Sequence, residues 1–141
     1  KNCDGVVPTP GERTDEDAEL LARLTPLLDR SREHIDGQQI SRYLEVLWDV
    51  LAETNRYFSA QQPWVLRKED PARMATVLFV TLEVVRTVTT LVQPVMPTAA
   101  GRLLELLGLP QVVPFASLGT ALVPGSPLPA PTGVFPRYVE E

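Results

Sequence analysis

An all-α helical bundle is the fold class this sequence predicts, and three observations carry it. Ile40, Leu44, Leu47, Leu51, Asn55 and Phe58 recur at steps of four and three, a helical period held for about five turns. Ala72 to Val92 is apolar nearly all round, too long for a strand and suited to the centre of a bundle. Pro63, Pro71, Pro94 and Pro97 stand at the ends of these stretches, where a missing N–H and a fixed φ do least harm.

Taken in order, residues 1–13 form a lead-in turn, with Asp4-Gly5, Pro8, Pro10 and Gly11 as turn signals. The bundle is expected over 14–108. Thr14-Asp15-Glu16-Asp17 reads as a cap whose acidic residues suit the positive end of a helix dipole. Leu20, Leu24, Leu27 and Ile35 share one face of the helix that follows, with Leu21 and Leu28 beside them, and Pro26 predicts a kink or break near Thr25. Gly37 separates this helix from the second, in which Tyr43, Val46 and Val50 widen the apolar face. Asn55 occupies a core position on that row and is expected to be satisfied by a hydrogen bond to the turn around Pro63-Trp64, since a buried unpaired amide costs roughly 1–3 kcal/mol. After the charged connection Arg67-Lys68-Glu69-Asp70-Pro71 come the third helix and a short fourth, Thr98 to Leu107, closed by Gly108. Seven of the 14 prolines lie from Pro110 onward, so 109–141 is expected to be an irregular Pro/Gly-rich segment. Its end, Val134-Phe135-Pro136-Arg137-Tyr138, is apolar enough to dock onto the rest of a parent protein.

Composition narrows the function classes. The 141 residues make one domain, 44% hydrophobic and 22% charged, as in ordinary globular proteins. A net charge of −5 gives no overall basic field, so any nucleic-acid contact must be local. A single cysteine, Cys3, excludes a disulfide framework and reads as an inert structural thiol. Lys1 to Gly5 has no secretory pattern; lacking an initiator Met, the sequence is expected to begin partway through a larger protein. The most membrane-like stretch, Met74 to Val92, carries Glu83 and Arg86 at its centre and five threonines, which favours a buried helix over a spanning one.

No residues arrange themselves as a catalytic site. There is no phosphate-binding glycine loop, no paired His or Cys ligands and no nucleophile elbow, so no catalytic residue and no metal ligand is assigned. His34, the one histidine, reads as a solvated residue near a helix end, and Glu83 with Arg86 as a structural ion pair. What remains is the corner Asn55-Arg56-Tyr57-Phe58-Ser59-Ala60-Gln61-Gln62-Pro63-Trp64. It holds a flat aromatic surface on a stiff turn between two long helices, fit either for stacking on another flat molecule or for plain packing.

The order of these features resembles the C-terminal, anticodon-binding region of bacterial methionyl-tRNA synthetases, which are class I aminoacyl-tRNA synthetases. The resemblance rests on Asn55-Arg56-Tyr57-Phe58, Pro63-Trp64, the Gln93-Pro94-Val95-Met96-Pro97 break and the Phe135-Pro136-Arg137 ending, and it covers nearly the whole chain. It implies a helical bundle appended to a Rossmann-like catalytic domain and a role in binding the CAU anticodon of methionine tRNAs. It further implies that Trp64 stacks on an anticodon base, with Asn55 and Pro63 supporting the turn. That agrees with recognition of single-stranded RNA loops by aromatic side chains. The family's first bundle helix, which supplies polar anticodon readers before the Asp-Gly turn, is absent from this sequence, as are both ATP-site signatures. An apolar groove on the second and third helices is therefore expected to be exposed here and filled in the parent. The parent would join methionine to tRNA using ATP. Its catalytic domain would hold ATP and methionine, with Mg as a candidate companion; this segment needs no cofactor. The resemblance implies methionine tRNA and that catalytic domain as partners, no membrane and a cytoplasmic location. It leaves oligomeric state open. Two alternatives stand beside it: the anticodon-binding domain of another class I synthetase, such as those for cysteine or leucine, and a helical protein-interaction module in which Trp64 is core.

Overall fold

The computed structural model describes residues 3–135, and these fold as six α-helices without a β-strand among them. They are α1 (Asp15–Ala22), α2 (Leu27–Asp36), α3 (Ile40–Gln61), α4 (Pro63–Glu69), α5 (Pro71–Val92) and α6 (Pro97–Leu106). The first predicted helix is two: the chain turns through 23–26 and resumes after Pro26, where the sequence places its break. The corner read as a turn and a charged connection holds a helix of its own, α4. Gln62 adopts a left-handed φ of 47°, which ends α3, and Pro63 then opens α4 at its first position, where no N–H is needed.

α5 is the axis of the bundle. By length and composition it could cross a membrane, yet 72% of its most apolar window is buried within the fold. Val80, Val84, Val88 and Leu91 meet Leu20 and Leu27 from α1 and α2 and Tyr43, Leu47 and Val50 from α3. The Tyr43 hydroxyl donates to the Leu91 carbonyl, giving a buried phenol the partner it requires.

The lead-in turn and the Pro/Gly-rich segment are tied to each other and to this axis. Val7 is fully buried, its N–H donates to Ser126 O at 2.8 Å and its carbonyl accepts from Gly125 at 2.8 Å. Gly108 closes α6 with φ 73°, and the N–H groups of Gly108 and Leu109 turn back to Glu105 O and Leu104 O, a Schellman ending. A side chain at Gly108 would meet the Pro127 carbonyl at 2.8 Å, so the segment needs a glycine there twice over. Beyond it, Gln93 exchanges hydrogen bonds with both backbone groups of Val113, and a 3₁₀ turn spans Phe115–Gly119. As far as Leu128, then, the segment expected to dock elsewhere packs on its own bundle. Phe135 is exposed; Pro136, Arg137 and Tyr138 lie outside the described residues.

Candidate nucleic-acid interface

α3 presents to α2 and α5 the face made by Tyr43, Val46, Leu47, Val50 and Thr54. Of the row singled out in the sequence, only Leu47 belongs to that face; the rest lies toward its edge or in solvent. Leu44 and Leu51 are half-buried, and Ile40 and Trp48 are each 49% exposed. Asn55 is therefore corrected: it is an exposed residue, and no side-chain hydrogen bond from it to the corner is found among the described residues. Its neighbour Thr54 is the buried polar group, with its hydroxyl donating to Val50 O at 2.7 Å. On the other long helix, Leu78, Thr81 and Leu82 line an open apolar hollow of about 420 Å³ with Cys3, Val6, Leu106 and Leu128. Both long helices thus keep uncovered apolar surface.

At the corner, Pro63 is buried and Trp64 is 58% exposed. Within the described residues Trp64 is therefore not part of the core. The indole lies beside Phe58, with ring centroids 6.3 Å apart and planes tilted by 57°. α4 also places Arg67 and Lys68 three and four positions after Trp64, on the same side of the helix. Both are exposed, and neither joins an ion pair among the described residues. The sequence shows them only as part of a charged connection, because the helix that aligns them with Trp64 was not expected.

A buried network lies beneath the corner. Asp17, fully buried on α1, faces Arg73 on α5: both guanidinium ends reach its carboxylate, one oxygen at 2.8 Å. The Tyr57 hydroxyl donates to the same carboxylate at 2.6 Å and the Thr14 N–H at 2.9 Å. Burial alone would raise the Asp17 pKa, but the hydrogen bonds from Arg73, Tyr57 and Thr14 outweigh it and hold the group at about 2. Burial, and then the Asp17 charge, push the Tyr57 phenol up, so it stays a donor. The hydrogen bond to Asp17 likewise raises Arg73. Asp17 is thus far more than the dipole-matching residue the sequence suggests.

Glu83 and Arg86 form the structural pair expected, at 2.9 Å and almost fully buried. Their remaining capacity is taken by the C-terminal segment: Arg86 donates to Leu118 O at 3.0 Å and Glu83 accepts from the Leu122 N–H at 2.7 Å. They wall a cavity of about 560 Å³ lined by Leu21, Leu24, Leu28 and Phe115, with Arg13 at its edge. No cluster of three or more potential metal ligands occurs among the described residues.

Comparison with known proteins adds what geometry alone does not. The family described as "Anticodon binding domain of methionyl tRNA ligase" matches residues 7–141. The methionine–tRNA ligase of Mycobacterium tuberculosis is 54% identical over 143 aligned residues, covering 98% of this chain and 28% of that protein. That of Rhizobium meliloti is 54% identical over 142, covering 99% and 28%. Among solved structures, the apo form of M. tuberculosis methionyl-tRNA synthetase superposes with a TM-score of 0.93 at 52% identity, covering 100% of this chain and 29% of that one. The same enzyme in complex with methionyl-adenylate gives 0.91 at 52% identity, covering 97% and 28%. This chain thus spans a little over a quarter of the length of these relatives, a domain without their catalytic core. The all-α bundle with Trp64 exposed at its corner accordingly belongs to the family of methionyl-tRNA ligase anticodon-binding domains.

Proposed function

We propose that this domain binds the anticodon loop of methionine tRNAs, with the exposed face of Trp64 as the platform on which one unstacked base lies. The observation that carries the reading is the exposure of Trp64 on a short helix at the corner, with Arg67 and Lys68 on the same side. Arg67 and Lys68 supply positive charge beside it despite the net charge of −5, within reach of a phosphate flanking the stacked base. Pro63 supports the platform as the buried first residue of α4. Asn55 offers an exposed amide on α3, three residues before the Phe58 that lies beside Trp64.

The parent protein is then a cytoplasmic methionine–tRNA ligase, which charges its tRNA using ATP and methionine in a catalytic domain beyond these residues. The uncovered apolar surface on α3 and α5 is where the remainder of the parent packs.

Binding of a hairpin RNA with a CAU loop to the full-length protein tests this. Trp64→Ala is expected to weaken binding about 5- to 150-fold, the worth of one stacked base, with the far-UV helix signal unchanged. Unchanged affinity in a folded variant would refute the stacking role.

A further inference from the structure

We propose that Arg73, held by Asp17 and joined to Gln61, is the positioning residue that fixes where the α4 corner presents Trp64; this rests on the stacking reading above. α4 has only 7 residues, too few to be stable as an isolated helix. Its two flanking residues are both non-helical, Gln62 at φ 47° and Asp70 at φ −148°. Beyond the buried Pro63 and the packing of α4 on α5, one residue reaches both of its flanks.

The Arg73 guanidinium donates to Gln61 Oε1 at 2.6 Å, at the last residue of α3. The backbone N–H of the same Arg73 donates to Asp70 Oδ1 at 2.9 Å, at the cap between α4 and α5. So Arg73 grips the chain on either side of the segment that carries Trp64. Its planar fork is itself immobilised from behind by Asp17, whose carboxylate also takes the Tyr57 hydroxyl. α1, α3 and α5 thereby converge on one cation at the start of α4, while the cap at its end takes the backbone N–H of the same residue. Without the grip Trp64 stays exposed, but its ring is free to sample orientations that a base must then select, and binding bears that entropy.

The test uses the full-length protein and the same CAU hairpin, in a double-mutant cycle. Gln61→Met removes the acceptor at a half-exposed site and leaves the Asp17–Arg73 pair intact, so the thermal midpoint is expected to stay near that of the unmodified protein. It is expected to weaken hairpin binding roughly three- to tenfold. In the Trp64→Ala background the same change is expected to shift affinity by less than about twofold, because the group it positions is gone. A purely structural role would not produce that disappearance. Arg73→Lys, which loses the fork while keeping the charge, should show the same pattern of coupling to Trp64.

Equal fold-losses from Gln61→Met in both backgrounds would overturn the inference, as would no loss in either while Trp64→Ala still weakens binding. If Trp64→Ala itself changes nothing, the stacking reading fails and this inference falls with it.

Discussion

Glu53–Arg56 on α3 and Glu83–Arg86 on α5 share one sequence pattern, a glutamate three residues before an arginine. On the page they are indistinguishable, yet the structure gives them opposite weights. The Arg56 side chain is 70% exposed and its Glu53 partner is only half-buried, so water reaches the pair, its worth is small and salt screens it. Glu83 and Arg86 are nearly fully buried and spend their remaining valences on the backbone of the C-terminal segment. The lesson is that spacing on a helix says which side chains can meet. What a meeting is worth depends on burial and on what else the two groups satisfy. Asp17–Arg73 stands between the two cases: buried like the second, but made across the bundle, and tied to Gln61 before the Trp64 corner rather than to the C-terminal segment.

The largest expected effect is at Glu83. Glu83→Ala leaves the Arg86 charge buried without its counter-ion and the Leu122 N–H without an acceptor, so the domain should lose about 3–5 kcal/mol. A denaturant titration of the full-length protein, following the transition of this domain, measures it. Hairpin RNA affinity of the folded fraction should hold, since this pair lies away from the corner. A loss below about 1 kcal/mol would mean that the pair is no more than a surface one.

Asp17 should come next, and with a pH signature. Its folded pKa of about 2 lies below its ordinary 3.8, so the stabilisation is present above about pH 4 and is lost as pH falls toward 2. The difference amounts to about 2 kcal/mol. The charged and titratable groups around it are Arg73 and Tyr57, which stay protonated over that range, and Glu16, whose own pKa is lowered chiefly by a hydrogen bond with Thr14. Asp17→Asn is expected to lower the urea midpoint at neutral pH, and its gap to the unmodified protein should narrow as pH falls through 4. A gap that stays constant from pH 7 to 3 would show that the carboxylate charge is not what stabilises the network.

These two cases also show what was legible in the sequence. The Glu83–Arg86 pair was legible because its members are three residues apart; its ties to Leu118 and Leu122, 32 and 39 positions on, were not. Asp17 and Arg73 are 56 apart, and no local pattern marks them as partners. The helical period of α3 is plain in the sequence, but which side faces the core depends on where α2 and α5 lie, so the period alone puts Asn55 inside and does not mark Thr54. α4 was hidden because its helix signal is short and starts on a proline, and with it the alignment of Arg67 and Lys68 with Trp64. The corner itself was legible as Pro63-Trp64, as was the family, because both depend on short-range residue order.

The smallest effect closes the comparison. Glu53→Gln breaks the same Glu-x-x-Arg pattern as Glu83→Ala and removes the same kind of charge. Arg56, 70% exposed, is solvated by water when its partner is gone, so nothing is left buried and unpaired. The domain should lose no more than about 0.5 kcal/mol, and less at high salt, where the remaining attraction is already screened. Glu83→Ala, by contrast, should keep its full cost at the same ionic strength, since salt does not reach a buried pair. Parallel denaturant midpoints of the two variants at low and high salt measure both. If Glu53→Gln cost more than about 1 kcal/mol, or if salt erased the cost of Glu83→Ala, burial would not be what separates the two pairs.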